Sequence, residues 1–433
     1  MLRLRQVGAP RAEGEVEGWW TSQDLLGSTP SLYAAGLGDA GQAQGTIGHV
    51  SWADDVRQRG VSGPWGIYLH VPFCSTRCGY CDFNTYTADE LGPGASRSTY
   101  ARTLVTEIAC ARQLLPDAPP LSTVFVGGGT PTLIGAADLV EILDEVRMSF
   151  GLEADAEVTV EANPDSVDAR SLALLRDGGY SRVSFGVQSL APHVLGVLDR
   201  THTPGRALTA LREAREAGFD HVSADLIYAT PDESDDDLRR SVESVLSEGI
   251  DHLSAYSLIV EPGTRLAARI GRGEVPMPDD DVAAERYLLI DELAQSNGLQ
   301  WYEVSNWSRP GGECRHNLGY WRGLDWWGAG PGAHGHLSGL RWWNVKHPAS
   351  YAARLAAGEP AVESSEELTP ADRRVEEVML GLRLREGMAS AGLDPDVMAD
   401  LSDNGLVAVG DGRIRLTDAG RLLADGIVRR LTA

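Results

Sequence analysis

Short apolar runs alternate with longer amphipathic segments from residue 66 onwards. The short runs are rich in β-branched residues, which is typical of buried parallel strands. They span residues 66–73, 123–129, 157–164, 182–189, 221–231 and 253–263. Between them, segments such as 138–150 and 204–218 place apolar side chains on one helical face. This alternation predicts an α/β fold, a (β/α) barrel of about six units, with a doubly wound sheet as the alternative.

The regions around the barrel differ in character. Residues 1–62 are rich in Gly, Ala, Ser and Gln without a sustained hydrophobic period, which predicts a poorly ordered N-terminal extension with at most one short helix. The barrel is expected over residues 63–300. Residues 301–360 form an aromatic-rich segment, since seven of the eleven tryptophans lie between 301 and 343. So many tryptophans in one segment indicate that this segment has a role different from that of the barrel strands.

Residues 361–433 predict a small C-terminal α+β domain that is winged-helix-like. Thr369, Pro370 and Asp372 form a helix start, with a capping side chain, a proline at the first helical position and an acid in the first turn. Two short apolar runs flank Gly410-Asp411-Gly412, which is a hairpin signal. A last helix is expected over 418–431. Acidic residues outnumber basic ones here, so packing or partner docking is expected rather than DNA binding.

Composition and charge narrow the class of protein. The formal net charge of −24 disfavours nucleic acid as a partner. Five cysteines in a chain of this length do not resemble a secreted disulfide scaffold, so a reducing compartment, the cytoplasm, is expected. A run of about 18 apolar residues, as a membrane helix requires, is not found, and no secretory signal is recognised.

Three of the cysteines carry the most specific signal in the chain. Cys74, Cys78 and Cys81 follow the first strand with the spacing Cys-x3-Cys-x2-Cys. Thiolates are the ligands of iron–sulfur clusters, and three of them leave one iron of a [4Fe–4S] cluster open for S-adenosylmethionine (SAM). The alternatives are a zinc site, for which His70 is the nearest further ligand, and three buried free cysteines.

The spacing, with Tyr80 before the last cysteine, resembles the radical SAM superfamily. That resemblance implies a partial (β/α)6 barrel. The stretches YLHVPFC, GGGTPT, EANPD, SFGVQS and DLIYATP resemble its oxygen-independent coproporphyrinogen oxidase-like branch, and the likeness covers roughly residues 65–430. The branch implies a [4Fe–4S] cluster and SAM as cofactors, and a reductant protein as a partner.

Polar residues at the ends of the expected strands predict the SAM pocket. The glycines at 127–129 let a ligand approach the backbone closely, and the family implies contacts from Gly128, Gly129 and Thr130. Glu161, Gln188, Arg200 and Asp225 follow at later strand ends, where carboxylates suit ribose or ammonium groups and a guanidinium suits a carboxylate. Tyr68 matches a SAM-contacting position of the family. The alternative is that these residues bridge strands or cap helices.

Two features separate the members of this branch. The oxidase has a further cysteine two residues after the third, where this chain has Phe83. The segment 314–321, CRHNLGYW, resembles the haem chaperone group, which implies haem contact by His316, Asn317, Tyr320 and Trp321. Cys314, His334 and His336 are rival iron ligands.

The sequence therefore predicts a haem chaperone that binds haem, SAM and a cluster and passes haem to an acceptor protein. A homodimer is possible for such a protein. The alternatives are an oxygen-independent coproporphyrinogen III oxidase and a non-catalytic protein with a structural metal.

Overall fold

Six parallel strands that follow one another in chain order form the centre of the molecule. The computed structural model describes residues 49–91, 95–203 and 205–433. The strands are β1 (Trp65–Val71), β2 (Leu121–Gly128), β3 (Leu152–Ala162), β4 (Arg182–Gln188), β5 (His221–Tyr228) and β6 (His252–Ser257). A doubly wound sheet would reverse its strand order partway. The unbroken order confirms the partial (β/α)6 barrel.

Helices connect these strands, as the amphipathic segments predicted. The helices of this half of the chain are α1 (His49–Arg59), α2 (Arg97–Leu114), α3 (Ala136–Phe150), α4 (Ala169–Asp177), α5 (Pro192–Val197), α6 (Arg206–Glu216), α7 (Asp235–Ser247), α8 (Arg265–Gly271) and α9 (Asp280–Ser296). Side chains alternate across each strand. On β1, Ile67 and Leu69 join the main hydrophobic core, whereas Gly66, Tyr68 and His70 occupy the other face, inside the barrel.

The aromatic-rich segment extends both edges of the barrel sheet. Its elements are β7 (Gln300–Glu303), β8 (Asn306–Ser308), α10 (Arg315–Trp321), β9 (Asp325–Ala329), β10 (His334–Leu337), β11 (Leu340–Asn344), α11 (Pro348–Ala356) and β12 (Val362–Glu367). Strand β8 pairs with β6, and β9 pairs in parallel with β1. Trp307 lies opposite Leu253, and Trp327 lies opposite Ile67. The tryptophans of these strands therefore cover sheet edges that would otherwise be exposed.

Helix α1 packs on this extension. Trp52 is 4% exposed and lies edge-on to Trp342, with ring centroids 5.7 Å apart, and 6.0 Å from Trp327. Val56 is fully buried. Helix α1 is a short helix of the kind that the sequence allowed within the extension of residues 1–62, and it forms because two apolar side chains one helical turn apart dock on the tryptophans. Residues 1–48 lie outside the described residues.

The C-terminal domain has its own core and sheet, as predicted. Its elements are α12 (Pro370–Gly381), β13 (Met388–Ala389), α13 (Pro395–Asp403), β14 (Val407–Gly410), β15 (Arg413–Leu416), α14 (Asp418–Arg421) and α15 (Ala424–Thr432). Thr369 caps α12, and the turn between β14 and β15 has positive φ at both Asp411 and Gly412. The helix expected over 418–431 is in fact two helices. The first of them, α14, ends at Arg421, whose guanidinium forms an ion pair with Asp291 of α9 at 2.8 Å.

Candidate metal centre and cofactor site

The three cysteines lie on the loop that follows β1, at the carboxyl end of the parallel strands. The backbone N–H of Cys74 donates to the carbonyl of Tyr86 at 3.0 Å, which closes the loop at its base. Gly129, after β2, donates to the carbonyl of Val71 at 2.8 Å. Barrel enzymes place their active sites at this end. The loop therefore lies where a cofactor would meet the mouth of the barrel.

The thiols of Cys74, Cys78 and Cys81 lie close enough to influence one another. Burial raises the pKa of Cys74, and the neighbouring Cys78 adds to the effect. Burial likewise raises the pKa of Cys81 to about 12. The guanidinium of Arg200 lies beside them, with its Nη1 3.6 Å from the sulfur of Cys78. A bound metal would reverse these shifts, because metals bind thiolates rather than thiols.

This donor set fits an iron–sulfur cluster better than a single zinc ion. Structural zinc takes about four ligands around one ion, and no group of three or more His, Cys, Asp and Glu side chains surrounds a common ion position within the residues described. In a cluster each thiolate binds a different iron, so the sulfurs stand further apart. His70 has both ring nitrogens engaged, Nδ1 with the Tyr68 hydroxyl at 3.0 Å and Nε2 with the Asn84 carbonyl at 2.9 Å.

The glycine-rich end of β2 makes room for the cysteine loop itself. A Cβ on Gly129 would lie 2.5 Å from the carbonyl oxygen of Phe73 and 3.1 Å from the sulfur of Cys74. Gly128 has φ +115°, and its Cβ would lie 2.7 Å from the ring of His70. The next residue, Thr130, donates its N–H to the Phe73 carbonyl at 2.8 Å. These residues position the loop, and their contact with SAM stays a prediction.

Two partly buried carboxyl groups, Glu161 and Asp225, lie close enough in the barrel interior for their charges to interact. Burial raises the pKa of Glu161 to about 8, and the charge of Asp225 adds to the shift. Burial also raises the pKa of Asp225 to about 6. A hydrogen bond from the Ser184 hydroxyl at 3.0 Å lowers that pKa, but by less than burial raises it. Glu161 accepts a hydrogen bond from the Gly128 N–H at 3.0 Å. Burial, followed by the Glu161 charge, raises the pKa of Tyr68 well above its usual range. A cationic ligand bound beside Glu161 and Asp225 would stabilise their charged carboxylate forms.

Arg200 and Gln188 flank Gly186 near the end of β4. The Nη2 of Arg200 donates to the Gly186 carbonyl at 2.8 Å, and its buried Nε has no hydrogen-bond partner. A Cβ on Gly186 would lie 2.9 Å from Nε2 of Gln188. Gln188 itself has φ +66°, which turns the chain out of the strand. Arg200 therefore joins the cysteine loop to β4 and keeps a donor for a carboxylate.

Helix α10, which carries the predicted haem residues, closes the opposite, amino end of the barrel. A Cβ on Gly66 would lie 2.9 Å from Nδ1 of His316. That Nδ1 bonds the Thr123 hydroxyl at 2.8 Å, and Nε2 bonds the Tyr320 hydroxyl at 2.9 Å. The ring stacks on Phe125, and burial lowers its pKa to about 4. Both imidazole nitrogens are thus engaged inside the barrel.

The other residues of the motif bind elements on either side of α10. Asn317 donates to the Glu303 carboxylate at 2.9 Å. Tyr320 meets the edge of Trp326, with centroids 4.8 Å apart. Trp321 packs against Leu380 and Leu384, in and just after α12. Helix α10 therefore connects the barrel interior to the C-terminal domain.

A cleft beside α10 is small for a porphyrin. Its volume is about 20 Å³, and its lining includes Trp65, Gly66, Thr123, His316, Tyr320 and Trp326. Pockets for drug-sized ligands occupy about 300–1,000 Å³. Direct haem contact by His316, Asn317, Tyr320 and Trp321 therefore stays a prediction, and an axial bond to His316 requires one of its two hydrogen bonds to break.

The rival iron ligands differ from one another. Cys314 donates from its sulfur to Glu157 at 3.4 Å, and burial raises its thiol pKa well above the usual range, so it is neutral. In His336, Nδ1 lies 3.3 Å from the Leu324 carbonyl and Nε2 accepts from the Gly339 N–H at 3.1 Å. His334 is different, because its buried Nε2 has no partner.

Asn84 is a functional candidate that the sequence analysis missed. Its side-chain amide donates to the carbonyls of Pro331 at 2.9 Å and Lys346 at 2.8 Å. It therefore ties the cysteine loop to the turns between β9 and β10 and after β11. Asn84 lies three residues after Cys81, so the sequence could have indicated that it is near the cysteine loop. Its partners, Pro331 and Lys346, are far away in the sequence and could not have been found from it.

Comparison with known proteins agrees with the fold. Residues 68–245 match the model of the radical SAM superfamily, and residues 368–423 match that of the HemN C-terminal domain. The solved structure of coproporphyrinogen III oxidase (HemN) from Escherichia coli superposes with a TM-score of 0.75 at 23% identity, covering 89% of this chain and 94% of that one. Fold, cysteine motif and family match define a radical SAM protein.

Curated relatives place the chain within that class. It is 55% identical to the heme chaperone HemW of Mycobacterium tuberculosis, over 85% of this chain and 95% of the relative. It is 33% identical to HemW of Bacillus subtilis, covering 83% of this chain and 97% of the relative. For HemW of Escherichia coli the identity is 31%, with coverages of 86% and 98%. The chain belongs to the HemW family.

Proposed function

We propose that this protein is a haem chaperone that binds haem, SAM and a [4Fe–4S] cluster and passes haem to an acceptor protein. The observation that carries the proposal is the 55% identity, over 95% of its length, to a relative that is named a heme chaperone. Phe83 supports the chaperone over the oxidase, because no thiol stands at the position where the oxidase has its further cysteine. The fold, shared with HemN, does not separate the two.

In this proposal the mouth of the barrel holds both cofactors. Cys74, Cys78 and Cys81 would hold the cluster, which would supply reducing chemistry toward the sulfonium of SAM. Arg200 offers its unpartnered Nε to the carboxylate of SAM. Glu161 and Asp225 face its cationic or ribose groups. The remaining proposed SAM contacts are Tyr68, Gly128, Gly129, Thr130 and Gln188.

The partly buried Glu161 leads to a pH prediction for SAM binding. Its pKa is raised to about 8, so most of the unliganded protein carries a neutral Glu161 at pH 7. A bound cation lowers that pKa, so binding releases a proton, and affinity rises with pH up to about pH 8 and then levels. SAM titrations by calorimetry at pH 6.5 and 8.5 should show tighter binding at the higher pH for the wild type. E161Q should remove most of this difference; an unchanged slope would contradict a role for Glu161.

The proposed partners follow from the same function. They are haem, an acceptor protein and a reductant protein, and a homodimer is one arrangement in which haem could be handed over. Nucleic acid is not expected, given the net charge of −24. In the described part of the chain, every helix is too short or too polar to cross a bilayer. Five free cysteines suit a reducing cytoplasm.

A paired assay tests the proposal. The anaerobically reconstituted protein is titrated with haem, and the same preparation is incubated with coproporphyrinogen III, SAM and a reductant. We expect saturable haem binding near one haem per chain and no protoporphyrinogen. Formation of protoporphyrinogen would establish the oxidase instead. Absence of saturable haem binding would refute the chaperone.

A further inference from the structure

Three of the described histidines have a buried ring nitrogen without a hydrogen-bond partner. His70, His316 and His336 each have both nitrogens engaged. Buried nitrogens without a partner occur in His202, His252 and His334. His252 begins β6, so its unpartnered nitrogen lies at the amino end of the barrel. Its side chain is only 3% exposed. Burial lowers the pKa of His202, and the charge of the nearby Arg200 lowers it further. His202 therefore belongs to the proposed SAM site.

His334 has the protonation pattern of an imidazole ligand. Burial lowers its pKa to about 4, opposed by a hydrogen bond to the backbone of Gly332, so the ring is neutral at pH 7. Because Nε2 has no partner, that hydrogen bond assigns the ring proton to Nδ1. In metal-binding histidines a backbone carbonyl commonly holds the Nδ1 proton while Nε2 binds the metal. An unpartnered buried nitrogen is also costly, and a metal bond removes that cost.

The surroundings of His334 suit a porphyrin. Its ring stacks on Trp343, its cross-strand neighbour, with centroids 5.9 Å apart and an angle of 28° between the planes. Both side chains are partly exposed. Lys346, the only lysine of the chain, is exposed and close enough for its charge to lower the pKa of His334. An imidazole, a flat aromatic face and a cation are the groups that bind haem iron, macrocycle and propionate.

The turn just before His334, between β9 and β10, packs against the cysteine loop and the end of β1. A Cβ on Gly332 would lie 2.6 Å from the amide nitrogen of Asn84, and one on Gly330 would lie 2.5 Å from the carbonyl oxygen of His70. His334 therefore lies at the cluster end of the barrel, whereas His316 lies at the opposite end.

We propose that His334 is the axial ligand of the haem iron, with Trp343 beneath the macrocycle and Lys346 paired to a propionate. The proposal rests on the proposed function and adds the place and the ligand of haem binding. Nε2 is covered in this conformation, so ligation requires the partly exposed ring to rotate outward. Haem then binds beside the cluster loop, and α10 stays a closing element of the barrel.

The test compares two matched substitutions on β10. H334F keeps a ring against Trp343 and removes the nitrogen, whereas H336F makes the same change at a histidine whose nitrogens are both engaged. Ferric haem is titrated into each, followed by Soret absorbance and by electron paramagnetic resonance for imidazole ligation. For H334F we expect loss of the imidazole signature and an affinity lower by about tenfold or more, which corresponds to about 1.4 kcal/mol. H336F and H316F should keep the wild-type signature.

Two further variants keep the test decisive. If H334F does not fold, as judged by circular dichroism and iron loading, H334M replaces it and should convert the imidazole signature to that of a thioether ligand. K346Q should weaken haem binding and reduce its dependence on salt. An unchanged spectrum and affinity in H334F or H334M would overturn the assignment of His334 while leaving the proposed function intact. A wild type that binds no haem would refute the proposed function itself.

Discussion

Replacing Cys78 by alanine is expected to abolish cluster binding almost completely. The local motif supplies three thiolates, and none of the other described His, Cys, Asp or Glu side chains completes a metal-binding group with them. Two thiolates leave two irons of a [4Fe–4S] cluster without protein ligands. The change also removes the sulfur that lies 3.6 Å from Nη1 of Arg200. Iron and sulfide per chain, together with the charge-transfer absorbance after anaerobic reconstitution, measure the loss.

The matched control for this variant is C110A. Cys110 is an exposed free cysteine on α2, outside the cysteine loop, so its removal should leave iron content unchanged. Haem binding should persist in C78A, because neither His334 nor His316 lies on the loop. Normal iron loading in C78A would refute the cluster assignment. Equal loss of haem and iron would show that the fold around both sites depends on the cluster.

The barrel and the grouping of the three cysteines on one loop were predictable because their signals are local. A buried parallel strand has a short sequence rich in β-branched residues. Six such stretches correspond to strands β1–β6, which are neighbours in chain order. The cysteine spacing needs one loop, so Cys74, Cys78 and Cys81 are gathered by sequence proximity alone. Glu161 and Asp225 were predictable as a pair because the ends of parallel strands meet at one edge.

The position of the haem motif was not predictable in the same way. CRHNLGYW contains an imidazole and aromatic rings, which suit a porphyrin and a packed barrel interior equally well. The structure places His316 against Gly66 and Thr123 because α10 folds back beneath β1 and β2. That long-range contact has no local signature. The small Gly66, which leaves space for the ring, is understood only once α10 is seen beside it.

Residues 49–59 show the same dependence on distant partners. Trp52 and Val56 stand one turn apart in a polar helix, too few apolar side chains to form a stable helix alone. Their binding surface is made by Trp327 and Trp342, nearly 300 residues later in the chain, whose rings lie 6.0 and 5.7 Å from that of Trp52. Composition therefore allowed a short helix in the N-terminal extension without locating it, whereas tertiary packing stabilises that helix at residues 49–59.

Replacing Arg182 by methionine is expected to destabilise the protein strongly, because Arg182 holds α10 in the barrel. Arg182 is 1% exposed, and its Nε donates to Glu157 at 3.0 Å. Its Nη2 donates to the Gly312 carbonyl at 2.8 Å, just before α10. Burial alone would raise the pKa of Glu157, but the guanidinium holds it below the usual range, so the carboxylate is charged. Breaking a buried pair on one side costs about 3–5 kcal/mol.

The urea midpoint of unfolding measures this loss against a surface pair. Arg176 and Asp220 lie 2.8 Å apart with side chains 30% and 54% exposed, so R176M should cost less than about 1 kcal/mol. R182M leaves Glu157 charged and buried, still accepting from the N–H of His316 at 3.1 Å. The double variant R182M/E157L removes that charge and should recover part of the loss, since two apolar groups of similar size need no partner. Equal midpoints for R182M and R176M would mean that α10 is held by its aromatic packing alone, and that the buried ion pair contributes nothing to closing the barrel.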